Sequence, residues 1–195
     1  MRRVIIGIDE AGRGPLAGPV AIGAVLIPLK SRLSFKGIAD SKALSKKERE
    51  VWFEKIRAWQ KEEKLFYAIS LISHRIIDKK GIVPALRLGI TRSLKKLNIN
   101  PHRVEVLLDG ALRAPDSFPY QKTIIRGDEK IPAISLASIV AKVTRDRRME
   151  KLGLQFPEYG FAKHKGYGTK NHQKRLKKYG ISEIHRKSFL RNFDK

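Results

Sequence analysis

Apolar positions along the chain fall into two periodicities. Short β-branched runs at residues 4–9, 20–27 and 65–72 predict strands, the first two joined by a Gly/Pro-rich turn. Between the second and third, Ser45 and Glu48 carry the spacing of a capping box. Val51, Trp52, Ile56 and Trp59 follow at helical intervals up to the charged run 61–64, with both tryptophans expected in the core. A short amphipathic piece around residues 75–79 ends at Gly81, and Pro84 sits in the first turn of a helix carrying Leu86, Ile90, Leu94 and Leu97. Residues 104–108 predict a strand that stops on Asp109-Gly110. Residues 123–125 predict another that stops before Gly127-Asp128, and a long helix over 134–152 follows. Beyond Gly153 the chain is richer in Lys, Arg, His and aromatics, with short helices expected after Thr169 and Ser182. The alternation predicts an α/β fold with a core over residues 1–152 and a basic helical segment, 153–195, packed on it.

Three of the predicted strands run into an acid: Asp9, Asp109 and Asp128. Loops at strand ends of an open α/β sheet converge on one edge, so these side chains are expected to meet. Each taken alone is also an ordinary turn former, Asp109-Gly110 most of all. Glu10 directly follows Asp9, and neighbours on a regular strand face opposite ways. The two can share a site only if the strand breaks, and Gly12 is the expected break. Buried acids are costly unless they bind something cationic.

Charge narrows the partner. The 195 residues hold 42 Lys and Arg against 19 Asp and Glu, a formal charge of +23, which calls for a polyanion. Nucleic acid leads; an acidic membrane surface is the rival, but no apolar run approaches the roughly 20 residues of a spanning helix. No signal peptide begins at Met1-Arg2-Arg3, so a cytoplasmic protein is expected. Without cysteine, a metal must be held by oxygen or histidine, and carboxylates favour Mg²⁺ or Mn²⁺.

Two further stretches fit a phosphodiester. On the long helix Ser138 and Lys142 share a face, and Asp146 lies on roughly the same side, as a further site acid or the partner of a nearby Arg. Tyr167 stands between Gly166 and Gly168 among basic residues, which suits stacking on a sugar or base, whereas Phe156, Tyr159 and Phe161 read as core. His74, His102, His172 and His185 carry no signal individually.

Five motifs, Gly7-Ile8-Asp9-Glu10-Ala11-Gly12-Arg13-Gly14-Pro15, Asp40-Ser41-Lys42, Leu108-Asp109-Gly110, the run from Ala137 to Asp146, and Lys165-Gly166-Tyr167-Gly168-Thr169, together resemble bacterial ribonuclease HII, in order and over nearly the whole chain. The resemblance implies a ribonuclease H-like mixed five-stranded sheet flanked by helices, with a small helical C-terminal attachment. It implies hydrolysis of RNA in RNA/DNA hybrids and incision on the 5′ side of ribonucleotides embedded in duplex DNA. Asp9, Glu10, Asp109 and Asp128 match the family's four catalytic acids around two Mg²⁺ or Mn²⁺ ions. Asp146 stays open as the fourth acid, and the strand-end position favours Asp128. Gly12, Arg13 and Gly14 match the segment whose backbone reads a ribose 2′-hydroxyl, and Tyr167 matches the tyrosine that stacks on the next sugar. Lys42, Ser138 and Lys142 fall in motifs that touch phosphates.

A non-catalytic nucleic-acid binder would account for the charge but not for the acidic strand ends. The related ribonuclease HIII is disfavoured by the eight residues before Asp9, and a ribonuclease H-like DNA nuclease is more distant. A monomer is expected. Sliding-clamp association is not predicted, because no Gln leads the aromatic stretch 189–193.

Overall fold

The computed structural model describes residues 4–38 and 44–190. Among them five strands form one sheet in the order β3-β2-β1-β4-β5, with β1 Val4–Ala11, β2 Val20–Ile27, β3 Phe66–Ile72, β4 Val104–Asp109 and β5 Gln121–Ile124. β1 pairs antiparallel with β2, and β2 with β3, while β1–β4 and β4–β5 are parallel. The sheet is mixed, as expected. The helices are α1 Lys46–Lys61, α2 His74–Lys80, α3 Ile82–Leu97, α4 Gly127–Lys130, α5 Pro132–Gln155, α6 Phe161–His164 and α7 Lys170–Tyr179.

Local chemistry sets these boundaries. Ser45 Oγ accepts from the Glu48 amide at 3.2 Å and the Glu48 carboxylate accepts from the Ser45 amide at 2.7 Å, closing the capping box that opens α1. Gly81, at φ 84°, ends α2 and begins α3 in a conformation open to glycine.

One face of the sheet buries Ile6, Ile8, Ile22, Val106 and Leu108 against Ile77, Leu86, Ile90 and Leu94 of α2 and α3. The other buries Val25 against Leu136 and Val140 of α5, with Trp52, Phe53 and Ile56 of α1 in the same cluster. Each such side chain contributes about 1.5–3 kcal/mol when fully buried. Because α5 lies between sheet and α1, its residues 133–141 are all buried and its apolar character runs round the helix.

α5 approaches the sheet so closely that two strand positions admit no side chain. A methyl group at Gly7 would lie 2.1 Å from the Ala133 carbonyl carbon, and one at Gly23 would lie 2.3 Å from the Ala137 oxygen. Gly23 is the register partner of Asp9. The contact therefore fixes how far α5 stands above the acidic strand end.

The C-terminal segment packs through Tyr159, Phe161, Leu176, Ile184 and Leu190 onto Ala17 and onto Met149 and Leu152 of α5. Two expectations change here. Asp128 does not end a strand: β5 stops at Ile124, Arg126 takes the left-handed conformation at φ 55°, and the chain turns into α4, which carries Asp128. No α-helix follows Ser182 among the described residues. Its amide and hydroxyl both turn to His185 Nδ1, at 2.9 and 2.7 Å, a local bond that competes with helix formation, and only the 3₁₀ turn Lys187–Phe189 forms. Phe189 packs against the first core, while 191–193 lie outside the described residues. No helix among the described residues is long and apolar enough to cross a membrane.

Gly23→Ala should lower stability by about 1–3 kcal/mol through overpacking, seen as a lower guanidinium midpoint. An unchanged midpoint would show that α5 does not rest on the sheet at this distance.

Candidate active site

Parallel register brings the first two acids together. The β1–β4 ladder runs from Val4↔Val104 to Ile8↔Leu108, so Asp9 and Asp109 are the next residues on adjacent strands and share a face. β1 ends just before Gly12, which has φ 91°, but this break lies beyond the two acids and does not bring them together. β1 pairs with β2 through Asp9↔Gly23, Glu10↔Ile22 and Ala11↔Ala21. β4 ends instead, leaving Asp9 and Glu10 at a free edge where both reach one cleft. That cleft, of about 350 Å³, is lined by Asp9, Glu10, Asp109, Gly12, Arg13, Gly14, Arg49, Ser138, Lys142 and Tyr167 among others. A hollow of about 390 Å³ lined by Arg87, Thr91, Arg113 and Asp116 gathers no pair of carboxylates.

Burial raises the Asp9 pKa well above the usual carboxylate range, and the charges of Glu10 and Asp109 push the same way. The Ser138 hydroxyl and the Glu10 amide, which donates to Asp9 Oδ1 at 2.7 Å, oppose that rise. Glu10 is raised for the same first reason and by Asp109, and is partly relieved by Arg13 at 3.7 Å. Asp109 Oδ1 accepts from the Gly127 amide at 2.7 Å. Among the described residues no three carboxylates or histidines are grouped to hold one ion by themselves. The acids form an open set of oxygen donors.

The other expected residues divide. Ser138 and Lys142 lie in the cleft. Asp146 does not line it and forms an ion pair with Lys142 at 2.9 Å, so its partner is a lysine. Asp128 is fully buried behind the cleft, one residue beyond the amide bound to Asp109. Lys42 lies outside the described residues. Tyr167 is 40% exposed, with Arg145 Cζ 5.6 Å and Lys142 Nζ 6.0 Å from its ring centre.

A family model described as ribonuclease HII matches residues 6–192. The chain belongs to the ribonuclease HII family. It is a ribonuclease H, an endonuclease that hydrolyses phosphodiester bonds. Ribonuclease HII of Coxiella burnetii is 48% identical over 187 residues, covering 95% of this chain and 88% of its own. Among solved structures, Archaeoglobus fulgidus ribonuclease HII, determined in a complex with PCNA, matches with a TM-score of 0.77 at 26% identity over 94% of this chain and 93% of that one. Ribonuclease H2 of Pyrococcus horikoshii matches with a TM-score of 0.74 at 29% identity over 98% and 99%.

Several residues that shape this ribonuclease HII cleft had no role assigned from sequence. Arg49 of α1 reaches the cleft and donates through Nη1 to the Leu44 carbonyl. Arg145 and Arg186 are completely buried and bind carbonyls rather than carboxylates. Arg186 donates to Gly12 at 2.7 Å, Arg13 at 2.9 Å and Gly18 at 3.0 Å. Arg145 donates to Pro19 at 2.9 Å and Lys165 at 3.0 Å. Its guanidinium fills the space beside Gly12, where a methyl group would lie 1.8 Å from Nε and where φ is 91°. Burial, with the charge of Arg145, lowers the Arg186 pKa to about 9, which leaves it charged at neutral pH. Arg145 had a weak signal, seven residues beyond Ser138 on one helix; Arg186 had none.

Three segments thus meet. The Leu16 amide donates to the Gly166 carbonyl at 2.8 Å, the Gly18 amide to Ile184 at 2.9 Å, and the Arg186 amide to Leu16 at 2.7 Å. Behind Tyr167, His172 and His185 are buried among Phe161 and Tyr159. Burial lowers both pKa values to about 4. The folded state keeps them neutral where the unfolded chain, near 6.5, takes up protons. Their stabilising contribution is complete above about pH 6.5 and declines as pH falls toward 4. Melting temperature against pH should show that decline, and it should flatten in the double variant His172→Asn, His185→Gln. Parallel curves for the two proteins would refute it.

Proposed function

We propose that this enzyme hydrolyses the RNA strand of RNA/DNA hybrids and incises duplex DNA on the 5′ side of embedded ribonucleotides, leaving 5′-phosphate and 3′-hydroxyl ends. The observation that carries the reading is the adjacency of Asp9 and Asp109 in one cleft with the Gly12-Arg13-Gly14 backbone and Tyr167. Buried, mutually repelling oxygen donors suit a hard divalent cation, and an open donor set suits one completed by substrate oxygens. Asp9, Glu10, Asp109 and Asp128 would hold two Mg²⁺ or Mn²⁺ ions, which supply activation of a water and stabilisation of the departing 3′-oxygen. Asp128 is preferred as the fourth acid because it lies one residue beyond the amide that binds Asp109, whereas Asp146 is held by Lys142.

The remaining work belongs to the chain. Ser138 and the Glu10 amide orient the Asp9 carboxylate. Arg49 and Lys142 line the cleft where the scissile phosphate would lie, and the motif that holds Lys42 implies a further phosphate contact. Gly14 has open space around its α-carbon, so its backbone can approach a ribose and read the 2′-hydroxyl, the group that separates RNA from DNA at one position. Tyr167 offers its exposed ring to the next sugar. The basic surface adds affinity without sequence preference.

Cleavage of a duplex with one internal ribonucleotide, with product ends mapped, tests the reading. Asp9→Asn should lower turnover by about 10²–10³-fold or more, the scale of losing one group that stabilises transition-state charge, with hybrid affinity nearly unchanged. Near-normal turnover in magnesium would end the carboxylate assignment. Tyr167→Ala should cost about 1–3 kcal/mol more on the single ribonucleotide than on a continuous hybrid, the scale of one aromatic stacking contact. Equal losses would remove Tyr167 from junction reading.

A further inference from the structure

Tyr167 is held from behind by a chain of hydrogen bonds whose direction is fixed at both ends. His172 Nδ1 lies 2.9 Å from the Tyr167 carbonyl oxygen. His172 Nε2 lies 3.0 Å from His185 Nε2, and His185 Nδ1 faces the Ser182 amide at 2.9 Å and hydroxyl at 2.7 Å. A carbonyl only accepts, so His172 Nδ1 carries the proton. Its neutral ring then presents Nε2 as an acceptor, which requires the proton of His185 on Nε2. His185 Nδ1 is left to accept from Ser182, whose amide only donates. One assignment satisfies every contact.

His164 completes the grip. Its ring stacks on His172 with centres 4.3 Å apart, its Nε2 donates to the Tyr159 carbonyl at 2.8 Å, and its Nδ1 accepts from the Gly166 amide at 3.2 Å. This ordering matters because Tyr167 stands between glycines, with Gly166 at φ 83°, and its ring is 40% exposed. Arg145 and Lys142 flank the ring, and the backbone beneath it sets the direction in which it projects.

Resting on the role given to Tyr167 above, we infer that His172 and His185 are positioning residues, a directed relay from Ser182 to the Tyr167 carbonyl that sets the tyrosine against the sugar and tunes preference for an embedded ribonucleotide over a continuous hybrid. Neither ring enters the cleft or touches the reacting atoms. Burial among Phe161 and Tyr159 keeps both rings neutral, and protonating either would set two N–H groups against each other.

The test uses the full-length protein and two duplexes of one sequence, with a single ribonucleotide or a continuous RNA strand. His172→Ala should lower the ratio of kcat/KM values, single over continuous, by roughly three- to tenfold, the worth of one hydrogen bond. His172→Asn, whose side-chain amide can still donate to Tyr167, should recover most of that loss. Equal losses on both substrates, or an Asn variant as poor as Ala, would overturn the relay. If Tyr167→Ala shifts the ratio and His172→Ala does not, the relay alone falls. If Tyr167→Ala leaves the ratio unchanged, the tyrosine's junction-reading role falls and the relay with it. Should the alanine variant fail to fold, long-range proton–nitrogen spectra of the unaltered protein at neutral pH decide: the Nδ1–H tautomer for His172 with Nε2–H for His185 is expected, and any other pairing refutes the relay.

Discussion

Repulsion among Asp9, Glu10 and Asp109 would be relieved by a small separation, which the register of the sheet forbids. Asp9 and Asp109 continue a parallel ladder, so their backbones are held at the spacing of adjacent strands, about 4.8 Å. Two full charges held at such a spacing, at an effective dielectric constant of 20, would repel by roughly 3 kcal/mol. The sheet can carry such a cost because its interior is fixed on both faces, by α2 and α3 on one side and by α5 at the glycine contacts on the other. A looser support would let β1 slide or twist until the acids parted. Rigidity beneath the edge and raised carboxylate pKa values at the edge are two expressions of one constraint.

The turn from residue 12 to 19 has the opposite problem, since it contains no regular structure and yet must present its backbone to the cleft. Two buried arginines supply the missing framework. A guanidinium carries several donors in a rigid fork, and here those donors take up the carbonyls of Gly12, Arg13, Gly18 and Pro19. Carboxylate partners would have placed more negative charge near acids that already repel one another. Carbonyl acceptors avoid this and tie the turn to α5 and to the C-terminal segment together.

Much of the architecture was legible because it depends on local signals. The β-branched runs, the Ser45–Glu48 capping box and the Gly81 stop all lie where sequence placed them, within a few residues. The adjacency of Asp9 and Asp109 followed from the general behaviour of strand ends. The reason Asp9 and Glu10 share a cleft was misread, because the decisive event is the end of β4, which the sequence of β1 does not contain. Asp128 looked like a strand end because one left-handed residue, Arg126, separates a strand from a helical turn, and nothing in its side chain marks it for φ 55°. Arg186 and His185 were invisible for a different reason. Their partners lie in residues 12–18 and in His172, and contacts between distant segments leave no periodic trace.

Under the proposed function, affinity and discrimination are separated. The excess of Lys and Arg attracts any nucleic acid, and salt would weaken that attraction without altering which sugar is preferred. Under the reading proposed above, sugar choice falls to two short segments, the Gly12-Arg13-Gly14 backbone and Tyr167. They are not independent: the Leu16 amide binds the Gly166 carbonyl, and Arg145 reaches Pro19 on one segment and Lys165 on the other. A displacement of either is transmitted to the other through direct hydrogen bonds to backbone carbonyls. Recognition of the 2′-hydroxyl and stacking on the following sugar then act as one rigid gauge across a single nucleotide step. A lone ribonucleotide can be told from its DNA neighbours only by such a gauge, because the charges that bind the phosphates see no difference between them.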